Sequence, residues 1–165
     1  MDSGMQLKWR LSHAQGYLQL GMVDEAAAEL RLIPAKERDG TEVLALRVAV
    51  LQEQGRWRAL RLAAAELVRR QPAEPAGWVT WAFATRRTRS IIEAEQILLE
   101  AEARHPREPT IQFNLGCYAC LRGDLTEAKR RVRRAIALNS LFRAHATSDP
   151  DLDALRAALG GETLF

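Results

Sequence analysis

Small and apolar residues recur along this chain at spacings of three and four, the signature of amphipathic helices, and the pattern itself repeats. Glycines stand in comparable settings at Gly21, Gly55 and Gly123, with Arg89 in the corresponding place before the last; the step from 21 to 55 is 34 residues. Four further rows keep the same step: Ala14, Val48, Ala82, Gly116; Ala26, Leu60, Ala94, Ala128; Leu30, Ala64, Leu98, Val132; and Ile33, Leu67, Ala101, Ala135. A fixed period of this length marks a helical repeat array. The chain therefore divides into repeats over 7–40, 41–74, 75–108 and 109–142, with a flexible segment at 1–6.

Each repeat reads as two helices around a tight turn. Helices approach closely only where side chains are short, so Ala14, Ala82 and Gly116 are expected to face Ala26, Ala94 and Ala128. The glycine closes the first helix in the left-handed conformation. Where Arg89 replaces it, Ser90 and Glu93 offer a capping box, and Asp124 with Glu127 does the same in the last repeat. Pro34, Pro72 and Pro106 end second helices. Residues 143–160 hold a capping helix over 148–159, with Pro150 near its start, Gly160 and Gly161 as its stop, and Leu152, Leu155 and Leu159 on one face. A flexible tail follows at 161–165, whose Thr163, Leu164 and Phe165 read as a frayed end rather than a strand-adding ligand.

Composition narrows the classes. With 165 residues and 47% hydrophobic content the chain can bury a core without disulfides. Cys117 and Cys120 are the two cysteines, and Lys8, Trp9, Arg10, His13 and Gln15 interrupt the start where a secretory leader would be apolar, so a reducing, cytoplasmic location is expected. No apolar run reaches the ~18 residues of a membrane span. The net charge of +3 is uneven: residues 110–142 carry six basic and two acidic side chains, and 143–165 carry two and four.

The stretch Phe113-Asn-Leu-Gly-Cys-Tyr-Ala-Cys-Leu-Arg-Gly-Asp-Leu-Thr-Glu-Ala128, followed by Val132, Ala135, Ile136 and Leu138, resembles the tetratricopeptide repeat family, in a bacterial-type form. Trp78, Ala94, Ala101 and Pro106 carry the likeness into the third repeat. Arg10, His13 and Arg47 depart from it, standing in rows otherwise largely apolar. The resemblance implies an all-α, right-handed superhelical stack of antiparallel helix pairs with a C-terminal capping helix. It also implies a non-enzymatic module, adaptor or chaperone-like, that binds a partner protein and needs no cofactor.

In such a stack the first helix of each pair lines the inner surface. The facing residues are then Leu11, Gln15 and Leu18; Ala45, Ala49 and Gln52; Val79, Phe83 and Arg86 with neighbouring Arg87; and Phe113, Cys117 and Cys120. They suit an extended or helical peptide with apolar anchors, over roughly 1,200 Å² or less. Phe83 and Phe113 are also readable as core residues of a tighter stack, with the groove reading favoured. Arg86 and Arg87 are readable as a solvated helix end. Family members that grip chaperone carboxylate tails use lysine, asparagine and arginine at places held here by Leu11, Gln15, Leu46, Ala76 and Thr80, which argues against that ligand. The alternative to peptide binding is self-association through repeat edges.

Two motifs point elsewhere. Cys117 and Cys120 have redox spacing but lie in mid-helix, away from the helix start that would lower a thiol pKa, so a structural role is favoured over redox or metal chemistry. Lys129, Arg130, Arg131, Arg133 and Arg134 form a basic stripe without interleaved aromatics, read as a solvated outer face rather than a nucleic-acid surface. His13, His105 and His145 lie far apart, and no nucleophile elbow or phosphate loop occurs.

Overall fold

The computed structural model describes residues 3–160, and every regular element among them is helical. The chain splits into two compact units, Met1–Thr88 and Arg89–Phe165. The division falls at the one repeat corner that lacks a glycine.

The first unit contains α1 (Ser3–Gln19), α2 (Val23–Arg31), a 3-10 turn at Ala35–Glu37, α3 (Thr41–Glu53), α4 (Trp57–Arg70) and α5 (Pro75–Thr88). Helix α1 starts at Ser3, so the boundary expected at residue 7 falls inside it and most of the segment expected to be flexible is helical. No proline or glycine-rich break lies between Ser3 and Leu7 to stop the helix extending. Helix α1 packs on α2 and α3, α3 on α2 and α4, and α4 on α5. Leu11, Ile33 and Val43 form one core cluster, and Val48, Leu51, Leu60, Leu67 and Ala84 another. Each large aliphatic side chain among them contributes about 1.5–3 kcal/mol on burial.

The second unit contains α6 (Ile91–Arg104), α7 (Pro109–Leu121), α8 (Leu125–Leu138), α9 (Phe142–Ser148), a 3-10 turn at Pro150–Leu152 and α10 (Asp153–Ala158). Helices α7 and α8 form its main pair, and the turn and α10 pack back on them through Leu152 and Leu155, both buried. The single capping helix expected over 148–159 is instead broken. Asp149 accepts a hydrogen bond from the Asp151 amide at 2.9 Å, and Pro150 opens a tight turn before α10 begins.

The three glycine corners are equivalent. Gly21, Gly55 and Gly123 have φ of 72°, 64° and 85°, the left-handed region. Each corner also carries the same pair of main-chain bonds. The amides of Met22, Arg56 and Asp124 donate to the carbonyls of Tyr17, Leu51 and Ala119, while the three glycine amides donate to those of Leu18, Gln52 and Cys120. These are Schellman closures, which satisfy carbonyls that a helix end leaves open. At the fourth corner Ser90 is extended and accepts from the Glu93 amide at 3.1 Å, capping α6 as the sequence predicts. Asp124 caps α8 likewise, accepting from the Glu127 amide at 3.0 Å. Of the four small-and-apolar rows every member is buried except Leu30, which is half-buried. Residues 161–165, with the expected flexible tail, Gly161 and Thr163 to Phe165, lie outside the described residues.

Candidate protein-interaction surfaces

In the first unit, part of the expected inner surface is open. A depression of about 470 Å³ is lined by Leu11, Ser12 and Gln15 of α1 and by Glu42, Ala45, Leu46 and Ala49 of α3. Four of the residues named from the sequence, Leu11, Gln15, Ala45 and Ala49, thus share one wall. Leu11 forms its buried floor, Gln15 is exposed, and the two alanines leave room. Leu18 is half-buried and Gln52 exposed, outside that depression.

On α5, Val79 and Arg86 are half-buried. Phe83 is already engaged: its ring meets Trp57 edge-on at 5.5 Å, and the Arg87 guanidinium lies 4.8 Å from the Phe83 ring and 4.5 Å from the Trp57 ring. Arg87 is therefore held by two aromatic faces rather than loose in solvent. The departures in the first repeat also find partners within the unit. Arg10 reaches Glu29 at 3.0 Å, and His13 stacks on Trp9 with ring centroids 3.8 Å apart.

In the second unit the residues named from the sequence are enclosed. Phe113, Cys117 and Cys120 are 5%, 2% and 3% exposed. Helix α9, which the sequence does not suggest as a separate element, lays Phe142 against Phe113 at 5.1 Å and His145 at 6.2 Å. Cys117 lies beside the following turn, where its sulfur and a carboxylate oxygen each of Asp149 and Asp151 fall within 4.8 Å of one another. Asp149 is already committed to capping that turn.

The basic stripe also divides. Arg133 and Arg134 are exposed, but Arg131 is 8% exposed and donates to Glu127 at 2.7 Å, to Gln112 at 3.0 Å and to Glu102. Gln112, itself buried, donates to Glu102 at 2.7 Å. This network joins α6, α7 and α8 across the small-residue seam. Glu127 is held down at about 2, first by the Arg130 hydrogen bond and then, against the penalty of burial, by Arg131. Glu102 resists a larger burial penalty, its carboxyl kept below the usual range by Arg131 and Gln112 together.

No helix among the described residues is long and apolar enough to cross a membrane. The fold defined by these paired helices and their glycine corners is that of a tetratricopeptide-type repeat protein. It is similar to the solved tetratricopeptide repeat protein TTC0263 of Thermus thermophilus, at 20% identity and a TM-score of 0.69 over 93% of this chain and 88% of that one. It is also similar to the MamA protein, at 14% identity and a TM-score of 0.75 over 98% and 85% of the two chains. MamA 41-end from Desulfovibrio magneticus RS-1 gives 16% and 0.72 over 94% and 90%. No family model and no curated protein matches the chain.

Proposed function

We propose that this chain is a protein-interaction module, adaptor or chaperone-like, which holds a peptide segment of another protein on the wall made by α1 and α3. The observation that carries the reading is the depression over Leu11, Gln15, Ala45 and Ala49. Its apolar floor and short side chains leave a recess for an apolar anchor. Gln15 and Glu42 at its rim supply polar groups for a peptide backbone. Binding is modest and reversible, since a short segment there buries an area at the low end of specific interfaces, about 1,200 Å² or less in total.

The test is capture of partners from native lysate by wild type and by Ala45→Glu and Ala49→Glu, each of which fills the recess and adds charge. Loss of the same partner from both variants supports the reading, and retention of every partner by both overturns it.

A second reading, self-association, is favoured by one observation. Met5 and Trp9, four residues apart on α1, are 63% and 50% exposed and offer an apolar contact for a second copy. Sedimentation across the micromolar range separates the two, because a concentration-independent monomer removes self-association.

A further inference from the structure

Some arginines of the first unit are neutralised and others are not. Arg10, Arg69 and Arg70 are neutralised by Glu29, Glu66 and Asp39. Among the described residues, Arg47, Arg56 and Arg58 have no carboxylate within ion-pair distance and are exposed. These unpaired cations are not scattered. Arg47 and Arg56 share a depression of about 320 Å³ with Arg31 and Arg38, over a floor of Ala27, Leu30, Val43, Val50 and Leu51. Arg56 also borders a second, more open hollow of about 530 Å³ with Arg58, Arg87 and Trp57. No carboxylate lines either one.

The placement is held by the fold. Arg38 donates to the carbonyls of Ile33 and Arg31 at 2.7 and 2.8 Å, which fixes its charge at the rim. Arg47 stands on α3 between Val43 and Val50, at spacings of four and three that keep all three on one face. Val43 at the edge of that face also packs against Leu11 of α1, but the exposed Arg47 lies away from the α1–α3 depression. The α1-facing depression uses Glu42, Ala45, Leu46 and Ala49, about 120° around the helix from Val43, Arg47, Val50 and Gln54 at ~100° per residue. Arg47, the residue that breaks the second repeat's apolar row, is thus placed where it is open to a ligand.

We infer that the α2–α3 face, with Arg31, Arg38, Arg47 and Arg56 around an aliphatic floor, is a docking site for an acidic peptide segment of a partner protein carrying an aliphatic anchor. Unpaired guanidiniums around an apolar recess attract such a segment in two ways. The carboxylates take bidentate hydrogen bonds from the rim. The aliphatic side chain leaves water for the floor. A phosphodiester chain would meet the same charges but leave the floor unfilled, so the floor selects the peptide. The site is separate from the α1–α3 wall and does not rest on the function proposed there.

The probe is a fluorescein-labelled dodecapeptide of aspartate and glutamate with two central leucines, followed by anisotropy on the full chain. Saturable binding is expected, weakened about tenfold by Arg47→Glu and by Arg56→Glu. Arg134→Glu, the same charge change on the exposed side of α8, is expected to cost less than about twofold. Replacing the two leucines by alanine weakens the peptide as well. Both arginines are exposed and unpartnered, so helical circular dichroism should be unchanged; Arg47→Gln, which adds no negative charge, gives an intermediate loss. The inference is overturned by absence of saturable binding, by an equal loss with Arg134→Glu, by indifference to the leucines, or by polyuridylate of equal charge displacing the peptide at lower concentration.

Discussion

Gly116 of α7 lies so close to Val132 of α8 that a β-carbon on the glycine would sit 2.8 Å from Val132 Cγ2. The same atom would meet Arg131 Cβ at 3.2 Å and the Ala128 carbonyl at 3.3 Å. The helices are therefore in contact along the row where the repeat places its smallest residues. Gly116→Ala should destabilise by about 1–3 kcal/mol, the usual range for overpacking. Gly16 in α1 has open space around its missing β-carbon, so Gly16→Ala should stabilise by about 0.5–1 kcal/mol through helix propensity. Urea unfolding of both variants checks the opposite signs.

The Arg131 network predicts a non-additive pair. Arg131 is nearly buried and Glu102 is about a quarter exposed, so removing one partner strands the other only in part. Arg131→Met should cost about 2–3 kcal/mol, below the ~3–5 kcal/mol of a fully buried pair. Arg131→Met combined with Glu102→Met should cost less than the sum of the single changes. Additive losses in a double-mutant cycle would show that the two do not interact.

Acid should expose the same network. Glu127 falls from 4.5 to about 2 in the folded chain. A lowered folded pKa contributes stability that is complete above the unfolded value and lost as pH falls through the folded one. Melting temperature should thus be insensitive to Glu127 above about pH 5 and decline between about pH 4.5 and pH 2. Glu127→Gln should lower the neutral-pH melting temperature and flatten that acid limb. Glu66, also at about 2 through Arg69 and Arg70, adds a parallel decline that Glu66→Gln removes.

Cys117 and Cys120 are almost wholly enclosed, and only an accessible thiolate reacts. Neither should react with a disulfide reagent in the native chain, and both should react in denaturant. Phe142→Ala, which removes the ring packed at 5.1 Å on Phe113, should raise the native labelling rate.

What the sequence discloses follows from range. Corner glycines, the Ser90 and Asp124 caps and the small-residue rows are legible because each is decided within one repeat. Arg131 escapes such a reading because its neighbours Lys129 to Arg134 look like solvent-facing charge, while its burial is decided by Glu102 and Gln112, 29 and 19 residues away. Phe113, Cys117 and Cys120 occupy the right face of α7, but α9 covers it. That helix has seven residues, too few to show a helical period. In the first unit four of the residues read from the sequence, Leu11, Gln15, Ala45 and Ala49, line a depression, while Phe83 packs on Trp57.

The corner geometry explains how so little shared wording supports so similar a backbone. Each glycine bend is tied by two peptide-group contacts and one residue free to adopt a positive torsion, with no requirement on neighbouring side-chain chemistry. Substitution can then run almost unchecked between bends, provided the seam residues stay short. Chains that agree at only 14–20% of positions can accordingly superimpose along most of their length, and each remains at liberty to dress its outer surfaces for a different companion.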